Sequence, residues 1–440
     1  MLRFIVAHLP WLRPLRAAIA LCLLSPATLW AQEAALKKAD GFFDQEDYHT
    51  AGAQYEQILR SYPKSGIAKF KAGICYLYTG QADRGLSYLR EARQLPLEVD
   101  PYYYFWLGKA FHLNMRIDSA LINYRRYLNT APKTDAFRKG TENLIAQAHR
   151  TESYFLSPDA SPLQPRNLGE NINSPYTERN PLLTADGKLM VFASRRPLYP
   201  EEQPQADGEF QEKMFIAQRQ PDGTWSKAAP LLAPADRKSW YLPVQMLDGG
   251  QRILLLQEGA GKGGFFEADR QGDTYDLPSP LDLGLSAEAT GYDVTFSPDL
   301  KTALYSKLNR NTGDLDLYQT RRQADGDWTK ALRLPATTNS LENEVSPLLL
   351  DGGRTLVFGS KGRDGLGGYD LYRCRYDDTA ARWGQAENLG LPYNSPGNDI
   401  FYAELAADGK KYGYLCTSRP RGLGEADIYE LDFTGVRAEK

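Results

Sequence analysis

The stretch DGGRTLVFGSKGRDGLGGYDLY, residues 351–372, decides the fold of the larger part of the chain. It begins with a tight turn, continues into the apolar run Leu356–Gly359 and ends with a second strand-like run, Asp370-Leu371-Tyr372. Short apolar runs bounded by turn residues are typical of β-strands. The stretch therefore predicts a β-hairpin.

Copies of this hairpin recur along the chain. The Asp351-Gly352 turn has counterparts at intervals of 51 to 62 residues, namely Asp186-Gly187, Asp248-Gly249, Asp299-Leu300 and Asp408-Gly409. A unit of about fifty residues that carries four short strands is typical of a β-propeller blade. The copies predict an all-β, five-bladed propeller over residues 164–433, in which blade two departs most from the common pattern.

The two ends of this predicted propeller complete one blade. The fifth copy stops after its third strand at Leu431-Asp432-Phe433. The segment Arg166-Asn167-Leu168-Gly169 resembles the fourth-strand segment of blade four, Glu387-Asn388-Leu389-Gly390. We therefore expect residues 164–169 to pair as the outer strand of blade five, because this closes the ring and removes an exposed strand edge.

Residues 32–150 have the pattern of an all-α helical repeat. Small residues recur at Ala51, Gly85 and Ala120, which are 34 and 35 positions apart, with aromatic residues around them. Small residues at this spacing let the two helices of a hairpin approach closely. The pattern predicts three hairpins and a capping helix, followed by a linker at residues 151–163. Residues 434–440 are predicted to form a C-terminal tail.

The helical part resembles the tetratricopeptide repeat, and residues 164–433 resemble the WD40-like, TolB-like β-propellers of bacterial envelope proteins. The combination is similar to the front part of the peptidoglycan-associated proteins of type IX secretion and gliding in Bacteroidota. In that family an OmpA-like, peptidoglycan-binding domain commonly follows the propeller, and this sequence ends at Lys440 without one. The resemblance implies a scaffold or adaptor in a cell-envelope assembly.

The N-terminus has the pattern of a secretory signal. Arg13 and Arg16 precede the apolar run Ala17–Leu24, and the small residue Ala31 precedes Gln32. This order predicts a signal peptide over residues 1–31. We therefore expect an exported protein, located in the periplasm and associated with the outer membrane. No later apolar run is long enough for a transmembrane span.

The placement of histidine argues against an enzyme. His49, His112 and His149 all lie in the helical part, and the predicted propeller has no histidine. A Ser-His-Asp site or a histidine-based metal centre therefore cannot be built within it. We expect no catalytic site, cofactor or metal, although a glycosidase-type carboxylate pair is left open because acidic residues are plentiful. The net charge of −3 does not favour nucleic acid as a partner.

Two surfaces are candidates for binding. The first follows from the resemblance to tetratricopeptide repeats, because an exposed aromatic groove suits extended or helical peptides. The positions that match the concave groove of such arrays are Phe70, Tyr78, Tyr102, Phe105, Lys109 and His112. The alternative is that half of the aromatic residues are core between repeats.

The second candidate surface is one face of the propeller. Basic residues follow serines at the ends of the predicted second strands, and they are Arg195, Lys307, Lys361 and Arg419. They form either a cationic ring around the channel mouth or a set of solvated and paired charges. The serines are expected to make one structural hydrogen bond per blade with an aspartate of the next strand, as in Ser360 and Asp370. The acidic insertion Pro197–Gln211 is either a docking element or a tolerated surface loop.

These features favour a non-enzymatic periplasmic scaffold whose partners are envelope proteins or peptides. The alternative is a carbohydrate- or peptidoglycan-binding propeller protein, for which a glycan is the partner.

Overall fold

A computed structural model describes residues 26–93, 101–157, 163–231, 239–259, 263–286, 293–407 and 409–434. Within them an all-α array is followed by an all-β, five-bladed propeller, as predicted. Residues 1–25 of the predicted signal peptide and residues 435–440 of the predicted tail lie outside the described part. None of the described helices combines the length and the apolar character that a membrane crossing requires.

Seven helices make up the described part of the helical array. They are α1 Pro26–Asp44, α2 Tyr48–Ser61, α3 Gly66–Tyr78, α4 Ala82–Arg93, α5 Pro101–Leu113, α6 Ile117–Thr130 and α7 Phe137–Leu156. The helices α1 to α6 form three consecutive hairpins, and α7 packs on α6 as the predicted capping helix.

Small residues let the helices of each hairpin touch. A Cβ atom on Gly73 would lie 2.7 Å from the Leu89 side chain, and one on Gly85 would lie 2.9 Å from the Gly73 carbonyl oxygen. Ala51 and Ala120, which hold the corresponding places in the other hairpins, are fully buried. The periodic small residues in the sequence therefore mark the closest helix contacts.

The strands form five antiparallel sheets. Blade one has β2 Glu178–Leu183, β3 Leu189–Ser194, β4 Lys213–Gln218 and β5 Ala229–Pro230, and blade two has β6 Ser239–Leu247, β7 Arg252–Gly259, β8 Phe265–Gln271, β9 Thr274–Tyr275 and β10 Ser279–Pro280. Blade three has β11 Val294–Phe296, β12 Thr302–Leu308, β13 Leu315–Arg321 and β14 Leu332–Arg333, and blade four has β15 Glu344–Leu350, β16 Thr355–Ser360, β17 Asp370–Asp377, β18 Arg382–Trp383 and β19 Glu387–Asn388. Blade five has β20 Asp399–Ala407, β21 Lys410–Thr417 and β22 Asp427–Asp432, and it is completed by β1 Arg166–Asn167.

The second strands are apolar on both faces because each packs against two neighbouring blades. In β3, Met190 and Phe192 join a core shared with blade five, whereas Leu189 and Val191 join a core shared with blade two. Successive side chains of a strand point to opposite faces, so a strand between two blades buries all of them. This explains the continuous apolar runs from which the blades were predicted.

The predicted closure of the ring is confirmed. Strand β1 pairs antiparallel with β22, and Asn167 lies opposite Tyr429. The Asn167 side chain accepts a hydrogen bond from the Gly169 backbone N–H at 2.7 Å, and Asn388 accepts the same bond from Gly390 at 2.7 Å. The sequence similarity between the two segments therefore reflects the same outer-strand structure.

A buried asparagine links each of three blades to the preceding one. The Asn173 side chain accepts a hydrogen bond from the Ile428 backbone N–H at 2.8 Å and donates to the Ile428 carbonyl at 3.0 Å. Asn339 and Asn394 bind the backbone of the preceding blade in the same way, at Leu317 and Leu371. The signal in the sequence was the repeated pattern Asn-Ser-x-x-x-acid, which begins at each of these asparagines.

Replacing the asparagine at the closure is expected to open the ring locally. Asn173→Ala leaves the buried Ile428 N–H without its partner and should lower the free energy of unfolding by about 2 kcal/mol. Asn394→Ala is the matched control, since it removes the same bonds between blades four and five. Hydrogen exchange should quicken in β1 and β22 for Asn173→Ala and not for Asn394→Ala. Equal protection of β1 in both variants would contradict the closure role of Asn173.

Candidate functional site

The helical array lies against one face of the propeller, formed by the turns between second and third strands. The Arg421 backbone N–H in blade five donates to the Asp83 carboxylate at 2.8 Å. In blade four, the Gly365 carbonyl accepts a hydrogen bond from Arg150 Nε at 2.8 Å. Because Asp83 lies in α4 and Arg150 in α7, separate parts of the array are fastened to separate blades.

The blade-one insertion Pro197–Gln211 packs against the first helical hairpin. A Cβ atom on Gly208 would lie 2.2 Å from the Asp47 carboxylate oxygen. His49 Nε2 is 3.7 Å from Glu209 Oε1, and the Glu209 side chain is almost fully buried. These contacts agree with the interpretation of the insertion as a docking element. It docks against the helical array of the same chain.

Gly80 allows the backbones of the two domains to touch. It lies between α3 and α4 with φ +74°, and a Cβ atom there would lie 1.9 Å from the Gly424 carbonyl oxygen in blade five. No side chain fits at Gly80 while the domains are docked. Gly424 is itself tightly packed within the propeller, because a Cβ atom there would lie 2.0 Å from the Tyr176 carbonyl oxygen.

Gly80→Ala is expected to separate the array from the propeller. Gly223→Ala is the matched control, because Gly223 has φ +83° with nothing within 4 Å of an added Cβ. Both changes should cost about 1 kcal/mol through left-handed backbone strain. Only Gly80→Ala should enlarge the radius of gyration in small-angle X-ray scattering. A wild-type radius for Gly80→Ala would show that the contact does not govern docking.

The prediction of an open aromatic groove is wrong for most of its residues. Four of the six are buried, namely Phe70, Tyr102, Phe105 and His112. The Phe105 ring centroid is 5.1 Å from that of Phe137 in α7 and 5.6 Å from that of Tyr127 in α6. These aromatic side chains fill the gaps between successive hairpins and the capping helix, which is the alternative that the sequence left open.

His112 is part of this core. Its side chain is 2% exposed, and its Nδ1 is 3.4 Å from the Tyr124 hydroxyl oxygen. Burial lowers the pKa of His112 to about 4. The ring is therefore neutral near pH 7 and provides no charge for a peptide.

Tyr78 and Lys109, the other two predicted groove residues, stay half-buried on the inner surface of the array. Tyr78 stacks on Tyr48 with ring centroids 4.2 Å apart and planes 7° apart. Lys109 Nζ lies 4.9 Å from the Tyr78 ring centroid and 5.3 Å from that of Trp106. We call Tyr48, Tyr78 and Trp106 the aromatic ladder, which ends in the ammonium of Lys109.

The four basic residues predicted on the propeller face do not occupy equivalent positions. Ser360 lies opposite Asp370 in blade four, whereas Lys307 itself lies opposite Asp316 in blade three. Lys361 directly follows strand β16, and Arg419 lies two residues beyond β21. The interpretation as a regular cationic ring is therefore wrong.

Two of these four residues are held in ion pairs within the propeller. Arg195 Nη1 lies 2.8 Å from Asp207 Oδ2, and Arg419 Nη2 lies 3.3 Å from Asp399 Oδ1. The alternative of paired and solvated charges describes the set better. The remaining members are two lysines, one exposed at position 307 and one half-buried at position 361.

Ser194 and Ser360 have a structural role, but their predicted partners were wrong, and Ser306 Oγ has no hydrogen-bond partner among the described residues. Ser360 Oγ donates to Glu344 Oε1 at 2.7 Å rather than to an aspartate of the third strand. Ser194 makes the same bond to Glu178 at 2.7 Å. Burial raises the pKa of Glu178 to about 7. Because this arrangement recurs from blade to blade, it marks a repeated structural contact between first and second strands.

Lys109 is held in surroundings that disfavour its charge. Burial, and then the charge of Lys361, lower the pKa of Lys109 from 10.5 to about 8.

The lowered pKa of Lys109, caused mainly by burial, predicts a stability that depends on pH. The folded-state pKa of Lys109 lies below the unfolded value, so folding is penalised at pH 7 and the penalty fades as pH rises from about 8 towards 10.5. Lys109→Met should raise the free energy of unfolding by about 1 kcal/mol at pH 7. Denaturant titrations should show the gain shrinking by pH 9.5, with no gain for the exposed control Lys307→Met. A gain that is constant with pH would contradict this origin.

The opposite face of the propeller carries a crevice between blades three and four. Its volume is about 390 Å³, and its lining includes Asp299, Arg321, Tyr376 and Trp383. Arg321 Nη2 donates to the Tyr376 hydroxyl at 3.1 Å. Within the described ranges, no group of three His, Cys, Asp or Glu side chains is placed to hold a metal ion.

Residues 36–96 match the tetratricopeptide repeat family. A stretch of 126 residues is 25% identical to the Hsp70-Hsp90 organizing protein 3 of Arabidopsis thaliana. That match covers 28% of this chain and 22% of the plant protein, so the chain spans well under two thirds of that relative. Together with the helices, the family match establishes a tetratricopeptide repeat domain.

Solved structures similar to this chain include a glycoside hydrolase, at 13% identity and a TM-score of 0.41, covering 64% of this chain and 94% of that one. The putative TolB of Agrobacterium tumefaciens is 13% identical, with a TM-score of 0.31 and coverage of 62% and 99%. The β-1,2-mannobiose phosphorylase of Listeria innocua is 9% identical, with a TM-score of 0.39 and coverage of 62% and 96%. Likenesses at this level carry no conclusion about activity.

Proposed function

We propose that this chain is a non-enzymatic scaffold that binds protein partners in a cell-envelope assembly. The observation that carries the proposal is the aromatic ladder on the inner surface of a tetratricopeptide repeat domain, ending in Lys109 beside the propeller. Tyr48 and Tyr78 are half-buried beside the ammonium of Lys109, whereas Trp106 is buried beneath it. Partly exposed aromatic rings next to a cation suit the side chains of a bound peptide. Docking against the propeller holds this surface in one orientation.

The polar motifs of the propeller support a structural rather than a catalytic role. Glu178, Glu344 and Asp399 each accept hydrogen bonds from a Ser or Thr hydroxyl of the neighbouring strand. A catalytic carboxylate is needed once in an active site, whereas these acids recur in three blades. Their buried positions are explained by the contacts that they make inside each blade.

The proposed setting is the periplasm, in association with the outer membrane and with type IX secretion or gliding. Its support is the signal-like pattern of residues 1–31 and the resemblance of the domain combination to envelope proteins. The proposal of protein binding does not depend on this setting.

A second candidate function is binding of a carbohydrate or of peptidoglycan. The crevice between blades three and four favours it, because Tyr376 offers an aromatic face and Arg321 and Asp299 offer polar groups. Such a combination of an apolar wall and a few polar groups is typical of small-molecule sites. This crevice lies on the propeller face away from the helical array.

Two variants separate the candidates, each serving as the control for the other. In cross-linking pull-downs from envelope extracts, Tyr78→Ala should reduce recovery of the partners about tenfold, and Tyr376→Ala should leave it unchanged. In sedimentation with purified sacculi, the scaffold predicts that wild type stays in solution. Sedimentation that Tyr376→Ala abolishes would favour the second candidate. An absence of any cross-linked partner would contradict the scaffold.

A further inference from the structure

The junction between blades three and four has a counterpart between blades one and two. In each junction, the turn between the first and second strands of the earlier blade carries an aspartate, Asp186 in blade one and Asp299 in blade three. Thr184 Oγ1 donates to Asp186 Oδ1 at 2.6 Å, and Ser297 Oγ donates to Asp299 Oδ1 at 2.6 Å. The two aspartates therefore hold equivalent positions.

The later blade places different residues beside these aspartates. Arg270 and Tyr376 are equivalent, because each pairs across a hairpin with a buried aromatic residue of the following short strand. Arg270 Nη1 lies 3.0 Å from Asp186 Oδ2, a pair that Tyr376 cannot make. The hydrogen bonds that Asp299 accepts from its own turn both go to Oδ1, which leaves Oδ2 for another partner.

The junction that lacks the ion pair is also the more open one. A Cβ atom on Gly250 would lie 2.5 Å from the Thr184 side chain, whereas one on Gly353, its equivalent, would lie 3.7 Å from the Ser297 side chain. The crevice at Gly353 has a volume of about 390 Å³. This volume lies at the lower end of the range for small-molecule sites and therefore suits a small ligand.

The lining of the crevice carries one charge of each sign beside aromatic rings. Arg321 ends the third strand of blade three, as Gln218 ends that of blade one. Arg321 Nη2 donates to the Tyr376 hydroxyl at 3.1 Å, so its guanidinium bonds to a phenol rather than to a carboxylate. The rings of Tyr376 and Trp383, with centroids 5.2 Å apart, provide the apolar part of the lining, and Asp299 provides the negative charge.

The comparison of the two junctions defines the ligand. Between blades one and two, the chain's own guanidinium group pairs with the aspartate, and between blades three and four that position is open. A guanidinium binds a carboxylate through two parallel hydrogen bonds and stacks on aromatic rings. Lys301 adjoins Asp299, but Lys188 adjoins Asp186 in the same way and does not prevent the pair there.

We propose that the crevice between blades three and four binds a small guanidinium compound that also carries a carboxylate, such as free arginine. The ligand's guanidinium pairs with Asp299, and its carboxylate pairs with Arg321. A neutral sugar would leave both charges without partners. The site lies on the propeller face away from the helical array and does not depend on the proposed scaffold function.

Equilibrium dialysis of the purified full chain against radiolabelled L-arginine, at constant ionic strength set with sodium chloride, tests this site. Wild type should bind one arginine per chain. Asp299→Asn should weaken binding about tenfold or more, because it removes the charge and keeps Oδ1 for the turn. Asp186→Asn is the matched control and should bind arginine as wild type does, since Arg270 already covers Asp186.

Two further variants copy the closed junction into the open one. Tyr376→Arg supplies an internal guanidinium for Asp299 and should abolish arginine binding. Agmatine, which is arginine without its carboxylate, should bind wild type about tenfold more weakly than arginine does. Arg321→Gln, which copies Gln218, should bind the two compounds equally.

The proposal is overturned if wild type shows no saturable binding of arginine, or if either Asp299→Asn or Tyr376→Arg binds arginine as wild type does. Equal binding of agmatine and arginine to wild type would overturn the pairing of the carboxylate with Arg321. Partner capture through Tyr78 is measured separately and stands or falls independently of these results.

Discussion

One backbone N–H on the third strand of a blade needs a partner that its own blade does not supply. Asn173, Asn339 and Asn394 provide it by accepting a hydrogen bond from the N–H of a residue in the preceding blade, and each also donates to the carbonyl of that residue. An unpaired buried backbone group is costly, so the blades cannot separate without a large loss of stability. Pairing of β1 with β22 gives hydrogen-bond partners to the third strand of blade five, which would otherwise be an exposed edge.

The position of the helical array follows from that closure. The last helix of the array, α7, ends at Leu156, and the chain enters the ring at Arg166 in the outer strand of blade five. The C-terminal end of the array is therefore tied to blade five. From there it reaches the turns of blades four, five and one, where Arg150, Asp83 and Gly208 make their contacts. The inner surface of the array and one face of the propeller thereby become parts of a single interface.

Much of this architecture is predictable from the sequence, because repeats are local patterns. The turns and apolar runs predicted five blades, and the similarity between residues 166–169 and 387–390 predicted closure. Side-chain exposure was not predictable in the same way. Phe105 and Tyr78 are both aromatic and both at predicted groove positions, yet Phe105 is buried against α7, whereas Tyr78 stays half-buried and stacks on Tyr48. The residue pattern of one repeat does not predict which side chains of the following repeat will cover its aromatic residues.

The strand register within the blades and the contacts between the domains could not be predicted from the sequence either. The pair Ser306-Lys307 looks like Ser360-Lys361, but strand pairing places Lys307 one residue away from the corresponding position. Asp83 and Arg421 are 338 residues apart, and nothing near either one signals the other.

The short strand β1 has a mechanical consequence. Tension applied between the helical array and the end of the propeller would act on two paired residues, Arg166 and Asn167, which alone are a weak clasp. The contacts of Gly80, Arg150 and Gly208 with the propeller lie in parallel with this strand pairing and share the load. The docked helical array therefore protects the closure of blade five against stretching.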